Sequence, residues 1–157
     1  MRAAHAAADQ FAGIVAAMPG GPVRDRLTAM APRIQAGVQS VWDTAQRADQ
    51  IGRQVALLDP ERATDELKAA RRAGASPEVI AAKAARFDSL QRLLNAREAA
   101  VDRLPLAEAR LDAAVARAAE IALMGTSGDD ALAQLDADLA AALLDLEALG
   151  AAIREVA

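Results

Sequence analysis

No cysteine occurs anywhere in the 157 residues. Its absence excludes a disulfide framework, a thiolate nucleophile and a Cys-based zinc site, and it suits a reducing compartment. Aromatic side chains are nearly as scarce, with two Phe, one Trp and no Tyr, so no broad aromatic core can form. The single histidine, His5, cannot supply the paired Glu-x-x-His motifs of a di-metal bundle. A basic surplus is lacking too: the net charge is −4, whereas a phosphate-binding face needs the opposite sign. Long apolar runs are missing because Asp136, Asp138, Asp145 and Glu147 interrupt the most apolar third of the chain, so no membrane span is expected. No Walker loop, dinucleotide fingerprint or Ser/His triad spacing is present. GTSGDD at 125–130 lacks both the lysine and the preceding strand of a phosphate loop. The expectation is a chain with no catalytic, cofactor-binding or metal-binding residue, no small-molecule substrate and no nucleic-acid partner: not an enzyme.

What the chain does have is alanine, more than a quarter of all residues, within a hydrophobic fraction of 54%. Alanine favours helix strongly but buries little area, so the contact surfaces must be narrow stripes of Leu, Val and Ala. The longest stripe runs through 77–124. Counting in sevens from Ile80, one set of positions reads Ile80, Phe87, Leu94, Val101, Glu108, Val115 and Ala122. The set three residues on reads Lys83, Leu90, Arg97, Leu104, Leu111 and Ala118. That is a coiled-coil seam with three polar interruptions, on a helix of roughly 70 Å. A second seam combines Leu27, Ile34, Val41, Ala48 and Val55 with Met30, Gly37, Thr44, Ile51 and Leu58.

Boundaries follow from local signals. Pro19-Gly20-Gly21 stops a first helix whose apolar face holds Ala4, Ala7, Phe11, Ile14 and Met18, and Pro22 suits the first turn of the next. Asp59-Pro60-Glu61 and Ser76-Pro77-Glu78 repeat one start signal: an N-cap, a first-turn proline and an acid that complements the helix dipole. Gly125 closes the long helix, and Ser127 with Asp130 forms a capping box for the last one. Pro32 and Pro105 fall inside seams whose register passes through them, which predicts kinks, not breaks. Helices are therefore expected at about 2–18, 22–58, 60–73, 77–124 and 128–156, in a single domain.

Short connections make successive helices antiparallel. The expected fold is all-α: an elongated antiparallel coiled-coil hairpin with a three- to four-helix base and a thinner arm. Asp59-Pro60 either bends the chain slightly, extending the hairpin to Gly74–Ser76, or turns it sharply and packs 60–73 as a short third helix. From Gly125 onward seven acids face one arginine, Arg154. The last helix should therefore lie against an Arg-bearing face of the same molecule or offer an acidic surface to a partner. Leu143 and Leu144 widen its stripe, suggesting contact with more than one helix.

Four residues are candidates for partner binding. Trp42, beside the second seam, has the character of a hot-spot residue, unless the first or last helix covers it. Lys83, Arg97 and Glu108 stand at core positions of the long seam, where polar residues set register or partner choice; alternatively they mark where the seam faces solvent. The first helix also reads as a packing helix, since Asp9 and Gln10 break the apolar region a signal peptide needs and its polar face lacks the cations that anionic lipid attracts.

The stretch VWDTAQRADQIGRQVALLDPERATDELKAA followed by SPEVIAAKAARFDSLQRLLNAREAAVDRLPLAEARLDAAVARAAEIAL, covering about 40–124, resembles the Ala/Arg-rich helical regions of actinobacterial membrane-associated accessory proteins, including partners of the phage-shock envelope-stress coiled coils. The resemblance implies a non-enzymatic partner of a membrane-linked helical protein and carries over no functional residue. The reading as a whole is a bacterial coiled-coil scaffold or adaptor that binds another helical protein or forms a homo-oligomer. The alternative is a peripheral lipid-surface-binding helical module. The expected location is the cytoplasm, including the inner face of the membrane.

Overall fold

The computed structural model describes residues 2–124 and 129–156. Those residues form helices α1 (Arg2–Ala17), α2 (Pro22–Leu58), α3 (Pro60–Arg72), α4 (Pro77–Met124) and α5 (Asp129–Val156), and no strand is found among them. The protein is all-α. Gly125 and Ser127, the expected stop and cap, lie outside the described residues.

The local start signals act as their chemistry requires. Asp59 ends α2 and begins α3 at φ 50°, ψ 80°, and its carboxylate accepts the backbone N–H of Arg62 at 3.0 Å. Ser76 Oγ accepts the N–H of Val79 at a longer 3.5 Å. The Glu78 carboxyl is held below its ordinary value by its own backbone N–H and by Ser76. Gly74, at φ 63°, supplies the left-handed residue that turns the chain between α3 and α4. Both internal prolines sit within continuous helix and face solvent, where water can satisfy the carbonyls they leave without a donor.

Asp59 therefore combines a cap with a backbone conformation that costs a non-glycine residue about 1 kcal/mol or more. Asp59→Ala loses the cap and keeps the strain, so it should destabilise by about 1–2 kcal/mol. Asp59→Gly also loses the carboxylate but relieves the strain, and should melt within a few degrees of the parent. Thermal unfolding of the two variants side by side checks the difference.

Packing is organised by α4, which touches every other helix, whereas α1 and α5 do not meet. One buried cluster takes residues from four helices: Phe11 and Val15 of α1, Leu27 and Ile34 of α2, Leu111 and Val115 of α4, and Leu135 and Leu139 of α5, among others. A second cluster continues it with Ile51 and Val55 of α2, Ala100 of α4, and Leu149 and Ile153 of α5. Beyond that, α3 packs on α4 and barely touches α2, burying Ala63, Leu67 and Ala70.

Two glycines record how close the helices come. A methyl at Gly37 would lie 3.1 Å from a Leu111 methyl and 3.2 Å from one of Leu143, so the absent side chain lets α4 and α5 press onto α2. A methyl at Gly52 would lie 2.7 Å from Arg97 Nε. Arg97, whose Cδ, Nε and Cζ all lie near that point, thus crosses α2 where no side chain stands in its way.

The acidic α5 is clamped between two arginine-bearing helices. Arg26 and Arg33 of α2 pair with Asp129 and Asp136, each step being seven residues in the same direction, so α2 and α5 run parallel. Arg110 and Arg117 of α4 pair with Asp145 and Asp138, seven forward against seven back, so α4 and α5 are antiparallel. These pairs are partly solvated and contribute about 0–1 kcal/mol each. They also favour this register, because a helix slipped by one turn would separate the charges of all four pairs.

Candidate interaction surface

The four candidate residues fall into two groups. Lys83 and Arg97 lie fourteen residues apart on α4, and Leu111 lies fourteen further; all three face the α2–α3 side. Lys83 Nζ donates to Glu66 Oε2 at 3.0 Å, Arg97 crosses Gly52, and Leu111 fills the space at Gly37. These two polar seam positions therefore make contacts within the chain, Lys83 half-buried and Arg97 exposed. Long basic side chains lie along apolar surface in this way while keeping the charge in water.

Trp42 and Glu108 are both half-buried, on α2 and α4 respectively. Trp42 meets His5 of α1, ring centroids 6.1 Å apart and planes inclined at 57°. The first helix thus covers one side of the indole. It also buries its own apolar face, with Ala7 and Phe11 each 1% exposed. A lipid role for this helix would require it to leave that seat.

Glu66 is the most heavily engaged carboxylate of α3. It accepts from Arg62 Nε at 2.9 Å, from Lys83 at 3.0 Å and from Arg86 at 3.3 Å, while Arg86 also donates to the carbonyl of Leu58 at 3.1 Å. The hydrogen bond from Lys83, followed by that from Arg62 and the Lys83 charge, holds the Glu66 carboxyl below its ordinary value of 4.5. A carboxyl lowered by folding contributes stability that is complete above the ordinary value and is lost as pH falls from there through the folded value. The α3 amides should therefore lose hydrogen-exchange protection as pH falls below 4.5, ahead of those of α5. Glu66→Gln should show weaker protection at neutral pH and a flatter pH response. Equal pH dependence in parent and variant would remove Glu66 from this role.

Concavities are confined to shallow grooves between helices. One is lined by Arg110, Ala113, Arg117, Glu120, Asp138 and Ala141, yet Arg117 and Asp138 are bound to each other at 2.6 Å. Among the described residues no group of three or more metal-binding side chains converges, and no helix is long and apolar enough to cross a membrane.

More informative are the apolar residues left outside. Leu144 is 65% exposed, whereas its neighbour Leu143 packs against the four-helix cluster; of the widened stripe, only one leucine has a partner within the chain. Val101 stands in the expected seam of α4 yet is 51% exposed. The reason is reach: α1, which shares a buried cluster with Val115 lower on the same line, has its N-terminal end near Trp42. Sequence periodicity places Val101 on the seam but does not say how far the covering helix extends. The seven-residue spacings of Arg26/Arg33, Arg110/Arg117, Asp129/Asp136 and Asp138/Asp145, by contrast, were a signal present in the sequence that the acidic last helix lies against arginine-bearing helices. Compared with protein-family models, curated proteins and solved structures, the chain matches none.

Proposed function

We propose that this protein is a non-enzymatic scaffold or adaptor, built as an elongated antiparallel coiled-coil hairpin on a four-helix base, whose arm pairs with another helical protein or with a second copy. The hairpin reading is supported by the order of contacts along α4. Moving from Gly37 to Gly52 to Glu66, by fifteen and then fourteen residues, the partner retreats from Leu111 to Arg97 to Lys83, by fourteen each time. Fourteen residues are two heptads, so the pairing keeps coiled-coil register from the base into the arm across Asp59. A slight bend at Asp59-Pro60 fits this better than a reversal.

The observation that carries the functional reading is the incomplete cover of the α4 seam, where Val101 is half-exposed in the middle of a heptad stripe. Magnitude supports it. The accessible surface is 9395 Å², against about 7,500 Å² for a compact monomer of this mass. The excess is more than the about 800 Å² that a standard protein–protein interface removes from each partner. A location beside a membrane, implied by the family resemblance, would be reached through the partner.

Light scattering on the purified full chain, together with affinity capture from the native host, tests the reading. We expect self-association or a co-purifying helical protein, lost in Val101→Arg and retained in Leu144→Arg. A monodisperse monomer that captures no helical protein would refute it.

A further inference from the structure

The groove that seats α1 does not end where α1 ends. α1 lies between α2 and α4, placing Ala7, Phe11 and Val15 in the same buried cluster as Val38, Val41 and Val115. Its C-terminal end leads into α2 at the base, so its N-terminal end, marked by His5 against Trp42, points toward the arm. Past that point the stripe on α4 continues through Val101, half-exposed, and then Leu94 and Phe87, both half-buried. On the α2 side the floor is low at Ala45 and Ala56, with Arg97 laid over Gly52 between them. Phe87 to Val101 spans fourteen residues, roughly 21 Å of helix, close to the roughly 24 Å of α1 itself.

We propose that this uncovered stretch is a docking groove for one amphipathic helix of about four turns from a partner protein, laid end to end with α1 and carrying basic residues on the flank that meets α4. The inference rests on the scaffold reading and names the chemistry of its partner. The seat of α1 shows what the groove accepts: a stripe of small and single large apolar residues at four-residue spacing. Charge decides the flank. Glu98, four residues after Leu94 and three before Val101, and Asp102 are exposed, with no ion pair among the described residues. Across the groove Asp49 is already neutralised by Arg53, and Arg97 is committed to the floor at Gly52. The α4 flank is thus acidic and the α2 flank balanced. A second copy has no free helix of this kind, since α1, α3 and α5 all bury their apolar faces.

Two stapled synthetic peptides, alike in an Ala/Leu stripe but bearing either arginine or glutamate on the α4 flank, can be titrated against the full chain by fluorescence anisotropy. The arginine peptide should bind at least about tenfold more tightly, and the gap should narrow at high salt. Val101→Arg should cut its affinity about tenfold or more, with circular dichroism confirming an intact fold. The double change Glu98→Lys with Asp102→Lys should reverse the preference, and Leu144→Arg should change nothing. Equal binding of the two peptides, or loss on Leu144→Arg but not on Val101→Arg, would overturn the groove. A captured natural partner indifferent to Val101→Arg would also discard the groove while leaving the scaffold in place. Tight arginine-peptide binding by a chain that stays monomeric and captures no partner would keep the groove and discard the scaffold.

Discussion

Replacing Leu111 with alanine is expected to be among the most damaging single changes, costing about 2–5 kcal/mol out of a total of typically 5–15. The side chain is 0% exposed and fills the space where α2 offers no side chain at Gly37. Its removal leaves a void that the backbones cannot close, because Arg33–Asp136 and Arg110–Asp145 hold α5 in register on both neighbours. The melting temperature should fall by about 4–20 °C, at about 2–4 °C per kcal/mol for a chain of this size. Urea and thermal unfolding followed by helicity would measure it. A companion change sharpens the test. In the parent, a methyl at Gly37 sits 3.1 Å from Leu111, and the crowding opposes the gain of about 1 kcal/mol that alanine brings to a helix. In the Leu111→Ala background the crowding from that side is gone, so Gly37→Ala should become clearly stabilising. Additive effects would show that the two positions do not share the space.

Phe11→Ala should be of comparable size, about 3–5 kcal/mol on the contacts it removes, but its consequence should be local. Phe11 is 1% exposed and is the only aromatic residue in the four-helix cluster. The helix that carries it is joined to the rest through Gly20-Gly21, with Arg24 donating back across the junction to the carbonyl of Met18 at 3.3 Å. The α5 helix, clamped by four Arg–Asp pairs, has no such independence. Weakening α1 should therefore release it before the remaining helices open, since the least-held element sets the lowest rung of local unfolding. Hydrogen exchange should show lost protection in α1 with α5 little changed. The emission of Trp42, the single tryptophan, should shift as His5 moves away. Equal loss of protection in α1 and α5 would mean that α1 is integral to the cooperative unit.

Both effects explain what periodicity alone leaves open. The stripe of α4 treats Val101, Leu111 and Val115 as equivalent seam residues, yet Leu111 and Val115 are buried in the four-helix cluster and Val101 is half-exposed. Nothing in the local spacing separates them. The acidic last helix was different, because charge carries its own pairing rule: residues seven apart on α5 match arginines seven apart on α2 and on α4. Lys83 and Arg97 fall between these cases. Their positions mark them as unusual seam residues, but their chemistry is decided by what stands opposite, a carboxylate at Glu66 and a bare backbone at Gly52.

By itself, the order of residues determined the helices and their starts. Capping, first-turn prolines and heptad spacing are interactions among neighbours within a few residues, and they hold wherever the helix comes to lie. It also determined that the contact faces are narrow, because alanine cannot make them wide. Tertiary structure decided which parts of each face are covered. Cover depends on where α1 and α5 end relative to a longer α4, and on competition among several helices for the same side of it. That is a matter of lengths and register in three dimensions, and it is why one valine of a continuous stripe is left half-exposed.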